Sequence, residues 1–333
     1  MSKIKNIAIN GFGRIGRAAL KIALEKKNLK VVAINDLADN KTLAHLLAND
    51  SVYGNYQKLI KYNDYELIIN NQRIKTFDEQ DPKKLPWKKL GIDVVLECTG
   101  IFRTSELVKA HLKAGAQKVI ISAPPKSDDI KNIVLGVNFN DYNSSTDHII
   151  SCASCTTNCL APVVKVLHQK FNIIKGLANT IHSYTSDQNL VDGPHKDLRR
   201  ARSAALNIVP TTTGSALAVT KVIPELVGRL DAVAYRVPTP CVSIIELVAE
   251  LKQPVTIEKI NNAFKNASKK DLLGILTTND NELVSSDFIG NPYSAIVDLK
   301  LTNVIGNSLV KIVAWYDNEW GYSNRLVELA GKI

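Results

Sequence analysis

The sequence predicts an α/β protein of two domains, a doubly wound parallel sheet followed by an α+β arrangement. Three observations carry that expectation. A strand-like run, Ile4 to Asn10, ends in Gly11-Phe12-Gly13-Arg14-Ile15-Gly16 and opens into helical spacing. Short runs rich in Val, Ile and Leu then alternate with helix-like or turn-rich segments, as strands covered on both faces do. After about residue 153 longer β-like runs follow one another with fewer helices between them, which reads as α+β.

Length and composition agree. At 333 residues the chain exceeds one typical core, and 45% hydrophobic with 22% charged residues is ordinary for a globular protein. No apolar run reaches the roughly 18 residues a membrane helix requires. The start, M-S-K-I-K-N-I-A-I-N, lacks the apolar region and cleavage site of a secretory leader. Five cysteines, three of them clustered, do not resemble a secreted disulfide framework, so a cytoplasmic location is expected. The net charge is +10, from 42 basic and 32 acidic residues. The lysines are dispersed in pairs such as Lys26–Lys27, Lys83–Lys84 and Lys269–Lys270, without a basic run, zinc-finger spacing or RNA-recognition motif. Phosphate-bearing small ligands are therefore expected, and specific nucleic-acid binding is not.

In the first half a helix is expected over Arg17 to Lys27, with a buried strand at Val31 to Asn35. Further parallel strands are expected at Asp93 to Glu97, Lys118 to Ser122 and Ile133 to Val137. The glycine turn follows a strand, opens a helix and precedes an acid, Asp36, twenty residues after Gly16. That context is the dinucleotide fingerprint. Gly11 makes the tight turn, Gly13 lets the backbone approach a pyrophosphate at the helix N-terminus, and Gly16 permits close helix–strand packing. A carboxylate at Asp36 would bind ribose hydroxyls and repel a 2′-phosphate, favouring NAD over NADP. In the second half the expected strands are Leu177 to His182, Ala232 to Arg236, Ser243 to Leu251, Ala295 to Leu299 and Leu309 to Tyr316. A closing helix is expected over Ser323 to Ala330.

Chemistry points to Ala153 to Pro162, A-S-C-T-T-N-C-L-A-P. Cys155 sits in a hydroxyl-rich turn entering an apolar helix, where peptide N–H groups and the positive helix end favour a nucleophilic thiolate. Ser154, Thr156 and Thr157 add donors for an anion. Two other readings stand beside this one: a buried inert thiol, or a metal ligand in the C-x2-C-x3-C of Cys152, Cys155 and Cys159. The metal reading lacks the four ligands such sites need.

The motifs I-N-G-F-G-R-I-G-R, A-S-C-T-T-N-C-L-A-P, H-S-Y-T-S-D-Q, P-H-K-D-L-R-R-A-R, P-T-T-T-G, R-V-P-T-P and W-Y-D-N-E-W-G-Y-S occur in that order. Together, over essentially the whole chain, they resemble the phosphorylating glyceraldehyde-3-phosphate dehydrogenase family. The resemblance implies a Rossmann-type NAD-binding domain over 1–153, joined by a C-terminal helix at 318–333, and a catalytic domain over 154–317 with a largely antiparallel sheet. It implies Cys155 as nucleophile and His182 as its base. Thr185 and Arg236 would bind the substrate's C3 phosphate, with Asp187 nearby. Ser154, Thr156, Arg200, Thr213 and Gly214 would hold inorganic phosphate. Arg14, Ile15, Asp36, Ser122 and Asn318 would join Gly11, Gly13 and Gly16 around NAD, and no metal is implied. The substrate would be glyceraldehyde 3-phosphate, and the assembly a homotetramer with residues 183–207 packed across subunits.

Some positions depart from the family pattern. Cys152 stands where Asn is more usual, so a reversible Cys152–Cys155 disulfide is one expectation. Gln80 replaces an Arg that often contacts NAD. Cys241 and Leu217 replace residues that are usually polar. Alternatives at this level are an erythrose-4-phosphate dehydrogenase, an NADP-preferring gluconeogenic form, and a basic binding protein without activity.

Overall fold

The computed structural model describes residues 4–333, and the chain divides into two compact units. Unit 1 gathers the residues up to Ile133, Asn140–Ala153 and Ser323–Ile333; unit 2 gathers Val134–Phe139 and Ser154–Tyr322.

Unit 1 runs β1 (Lys5–Asn10), α1 (Arg14–Ala23), β2 (Leu29–Asn35), α2 (Asn40–Ala48), β3 (Ile60–Asn63), β4 (Glu66–Ile69), β5 (Gln72–Phe77), α3 (Trp87–Leu90), β6 (Val94–Glu97), α4 (Ser105–Lys113), β7 (Lys118–Ile121), β8 (Lys131–Asn132) and β9 (Ile149–Ser151). Among the described residues these strands form one sheet in the order β3-β4-β5-β2-β1-β6-β7-β9-β8. It is parallel except for the antiparallel pairs β3–β4 and β4–β5. The middle strands are buried on both faces: Ile7, Ala8 and Ile9 are fully covered, as is all of β6. Continuous apolar sequence is what such positions demand, each buried aliphatic chain contributing about 1.5–3 kcal/mol. The chain order reverses between β1 and β6, so the cleft outside their carboxyl ends is a topological switch point.

Two expectations fail here. The first helix starts at Arg14 rather than Arg17 and ends at Ala23, because it begins directly after Gly13. Ile133 to Val137 is not a strand: Gly136 takes φ +81° and Val137 N–H bonds to Val134 O, closing a turn. The β3–β5 meander was not foreseen; its strands are short and half polar.

Unit 2 carries α5 (Cys155–Phe171), β10 (Ile173–Ser183), β11 (Val209–Thr212), α6 (Ser215–Val222), β12 (Leu230–Val237), β13 (Ser243–Leu251), α7 (Ile257–Lys269), β14 (Leu276–Asn279), β15 (Ala295–Asp298), β16 (Asn303–Ile305) and β17 (Leu309–Tyr316). The closing helix α8 (Trp320–Lys332) lies mostly in unit 1. The second sheet runs β11-β12-β10-β13-β17-β15-β14, with β16 on β17. It is antiparallel except at β10–β12 and β14–β15. In β13, S-I-I-E-L-V-A-E-L alternates buried and half-buried residues along its whole length, the period of a strand with one covered face. The parallel pair β10–β12 matters most, because its register sets His182 directly opposite Arg236.

Candidate active site

In unit 1 the glycine turn is fixed by sterics. Gly11 has φ +90°, and a Cβ there would lie 2.7 Å from Thr99 N; one on Gly16 would lie 2.1 Å from Gly11 O. Neither position admits a side chain. A Cβ on Gly13 would meet nothing within 4 Å, so the turn is open there. Gly13 is the N-cap of α1 and makes no side-chain cap bond. The Asp36 carboxylate accepts from Phe12 N at 2.7 Å and from Ala38 N at 3.0 Å. Those bonds tether it to the turn and leave acceptor capacity for hydroxyls. Arg14 bonds Asp50 at 2.8 Å and lies over the Tyr53 ring. Ser122, just past β7, donates its N–H to Glu97 O. Gln80 follows β5.

In unit 2, Ser154 is the N-cap of α5, its Oγ accepting from Thr157 N at 3.0 Å, and Cys155 is the first helical residue. Pro162 sits inside this helix, which continues because Leu160, Val163, Val164, Val166 and Leu167 are buried. Cys155 Sγ lies 3.4 Å from His182 Nε2. His182 Nδ1 lies 2.7 Å from Ser183 O and 2.8 Å from Arg236 Nη1, and that guanidinium also donates to Ser183 O at 2.9 Å. Nδ1 thus meets an acceptor, the Ser183 carbonyl, and a donor, the Arg236 guanidinium; in the tautomer with Nδ1–H on the carbonyl, the Nε2 lone pair faces the thiol.

Burial opposes the helix-end argument for a thiolate. Burial raises the Cys155 thiol above its usual range, against the Arg236 charge and the Thr156 bonds that lower it. Burial also pushes His182 down to about 3, with Arg236 adding to it. Both shifts run toward the neutral thiol and the neutral imidazole, and burial is the largest cause of each. A stability effect follows. The unfolded chain protonates His182 near 6.5, whereas the folded chain resists until about 3. As pH falls through that window the unfolded state gains the proton, and stability drops by up to ~1.4 kcal/mol per pH unit. His182→Asn is expected to flatten this part of a melting-temperature profile between pH 6.5 and 4; an unchanged slope would contradict it.

Tyr316, Thr180, Ser183 and Ser243 were not anticipated as site residues. Thr180 Oγ1 donates to Ile244 O, so Tyr316 donates to Thr180 at 2.9 Å and Thr156 donates to Tyr316 at 3.0 Å. This ordered chain occupies the Thr156 hydroxyl expected to meet an anion. Tyr316 also packs edge-on against His182. The only hint in sequence was its inward place on alternating β17. Asn318 Oδ1 accepts from Ser183 at 2.8 Å and Ser243 at 3.1 Å, leaving its amide N–H groups as donors. Cys241 gains an account: its S–H donates to Asp317, whose carboxylate also accepts from Glu319 N, Trp320 N and Gly290 N. Nothing in the structure explains Leu217, which is exposed on α6.

The two arginines differ. Arg200 is occupied, donating Nε to Thr211 and Nη1 to Asp187, with Nη2 3.5 Å from Thr212 O. Burial pushes Asp187 up, but the Arg200 bond and charge outweigh it and hold the carboxyl below its usual value. Arg236 Nε, by contrast, is buried without a partner, a spare donor for an anion. Thr185 lies in the loop after β10, Thr213 bonds Ser215, and Gly214 caps α6. Cys152 is buried in unit 1, at 1% exposure.

Comparison with known proteins gives the family. Residues 5–105 match the glyceraldehyde 3-phosphate dehydrogenase NAD binding domain, and residues 154–318 match the C-terminal domain of the same family. The chain is 52% identical over 327 residues to a glyceraldehyde-3-phosphate dehydrogenase of Geobacillus stearothermophilus, covering 98% of this chain and 97% of the relative. It is 55% identical over 324 residues to that of Thermotoga maritima, covering 97% of each. With Bacillus subtilis glyceraldehyde-3-phosphate dehydrogenase 1 the identity is 51% over 327 residues, covering 98% of this chain and 97% of the relative. The chain therefore belongs to the glyceraldehyde-3-phosphate dehydrogenase family.

Proposed function

We propose that this protein oxidises D-glyceraldehyde 3-phosphate with NAD and captures the acyl group on inorganic phosphate, giving 1,3-bisphosphoglycerate. The observation that carries the reading is the 3.4 Å contact of Cys155 with His182, with Arg236 in register beside the imidazole. Unit 1 serves as the NAD-binding domain and unit 2 as the catalytic domain. The open Gly13 turn, the uncapped α1 N-terminus and tethered Asp36 fit a dinucleotide. Gly11, Gly13, Arg14, Ile15, Gly16, Asp36, Ser122 and Asn318 would hold it.

His182 Nε2 takes the Cys155 proton and the thiolate attacks the aldehyde carbon. His182 returns that proton to the new oxyanion, which the Cys155 N–H also stabilises, so a neutral hemithioacetal forms. Bound NAD supplies the hydride acceptor for the carbon-bound hydrogen. As that hydrogen leaves, His182 removes the hydroxyl proton again and Cys155 carries a thioester. Phosphate oxygen then attacks the acyl carbon, the C–S bond breaks, and the sulfur leaves as thiolate. Arg236, with its spare Nε–H, and Thr185 take the C3 phosphate. Ser154, Thr156, Arg200, Thr213 and Gly214 take inorganic phosphate once Arg200 is drawn from Asp187 and the Thr156 hydroxyl from Tyr316.

Exposed Leu190, Val191, Leu198 and Leu206 lie in the segment expected across subunits, which supports a homotetramer that light scattering would test. No described helix is long and apolar enough to cross a membrane, and a cytoplasmic location suits a free thiol nucleophile. The deciding assay follows NADH absorbance with glyceraldehyde 3-phosphate, with and without phosphate. Steady turnover that ignores phosphate would overturn the acyl-transfer step. Asp36→Ala is expected to raise the NAD KM about tenfold through lost charged hydrogen bonds and to narrow discrimination against NADP. Side-by-side kinetics with both cofactors check it.

A further inference from the structure

Three strand ends of unit 1 converge on a buried polar network that the mechanism above does not use. Glu97, at the end of β6, is 1% exposed; His111 and Trp87 are fully buried and Asn10 is 1% exposed. One Glu97 oxygen accepts from Asn10 Nδ2 at 2.6 Å and faces His111 Nε2 at 3.0 Å. The other accepts from Thr99 N at 2.8 Å and from the Thr99 hydroxyl. Trp87 Nε1 lies 3.0 Å from His111 Nδ1. An indole N–H only donates, so Nδ1 accepts and Nε2–H donates to Glu97. Asn10 Oδ1 accepts from Asn35 Nδ2, and Asn35 in turn holds both backbone groups of Glu79.

Three of these residues adjoin the glycine turn or Asp36. Asn10 immediately precedes Gly11 and Asn35 immediately precedes Asp36. Thr99 N is the atom against which Gly11 packs. Backbone bonds stitch the same three ends together, Cys98 N to Asn10 O at 2.7 Å and Gly11 N to Asn35 O at 2.8 Å. Burying a carboxylate here is costly unless all its acceptors are satisfied, whereas an apolar filling would avoid that cost. We infer that Glu97 is the positioning residue of the dinucleotide turn, holding the ends of β1, β2 and β6 at the spacing at which Gly11 to Gly13 and Asp36 receive NAD. The inference rests on that turn being the NAD site.

The geometry makes the test sharp. In Glu97→Gln the new amide N–H must face either Asn10 and His111 or Thr99. His111 cannot turn its acceptor toward it, because Trp87 already fixes Nδ1; on the other side the Thr99 hydroxyl can rotate to accept, but the Thr99 N–H cannot. The clash therefore falls on the strand ends rather than being absorbed by a flip. Glu97→Gln is expected to raise the NAD KM, and the Kd by NAD titration, about tenfold. The glyceraldehyde 3-phosphate KM, the kcat at saturating NAD and the alkylation rate of Cys155 without NAD stay within about twofold of the parent. A general loss of structure would move all of these together. Thr99→Val removes one donor but keeps the N–H and is expected to raise the NAD KM about fivefold, whereas Thr99→Ser, keeping both donors, restores it. This pair decides the matter if Glu97→Gln does not fold. An unchanged NAD KM in Thr99→Val and in folded Glu97→Gln overturns the inference. Asp36→Ala run in parallel separates the two levels: if it too leaves the NAD KM unchanged, the turn itself is not the NAD site.

Discussion

Cys155→Ser is expected to lower kcat by a factor on the order of 10⁴ to 10⁶, the range seen when a covalent nucleophile is removed. The change is nearly isosteric and leaves the Ser154 cap of α5 in place, so folding is not the source of the loss. A hydroxyl is far harder to ionise than a thiol, so His182 removes its proton less readily. Even a successful attack would end in an oxygen ester, which phosphate displaces more slowly than a thioester. The sharpest readout is pre-steady-state. Without phosphate the parent enzyme is expected to release one NADH per Cys155 in a burst and then stall at the thioester. Cys155→Ser should give no burst. A serine variant within tenfold of the parent kcat would remove Cys155 from the bond-making role.

How much of this was legible in the sequence depends on the range of the interactions. The glycine turn is local: the spacing of Gly11, Gly13 and Gly16 and the acid at Asp36 carry their geometry within one strand–turn–helix unit. The steric demands at Gly11 and Gly16 match that reading. Cys155 was legible as a helix-start thiol for the same reason. The failed strand at Ile133 to Val137 shows the limit, since an apolar run does not report the left-handed Gly136 that turns it aside. Family motifs named His182 and Arg236, but not their meeting. That depends on the register of β10 against β12, strands far apart in sequence. The burial of Cys155 was not legible, because local sequence displays the helix end and hides the desolvation that opposes it. The Tyr316 hydroxyl chain and the Glu97 network were not legible, being built from side chains on three or more elements.

His182→Asn is the second large effect, an expected fall in kcat of about 10² to 10⁴, the usual worth of a positioned general base. Asparagine keeps a polar side chain against Ser183 and Tyr316 but has no lone-pair nitrogen to take a proton. Two steps lose their base: release of the thiol proton, and removal of the hydroxyl proton as the hemithioacetal is oxidised. These separate experimentally. The first appears as slower alkylation of Cys155 by iodoacetamide at neutral pH, because Nε2 no longer accepts the thiol proton across 3.4 Å. The second appears in the substrate-deuterium isotope effect on NADH formation. It should rise in the variant, since the oxidation step becomes rate-limiting. Raising the pH should recover part of the alkylation rate, as hydroxide replaces the missing base, while kcat remains depressed because the oxyanion also loses a donor. If alkylation slows but the isotope effect and kcat stay at parent values, His182 activates the thiol alone, and another group removes the hydroxyl proton.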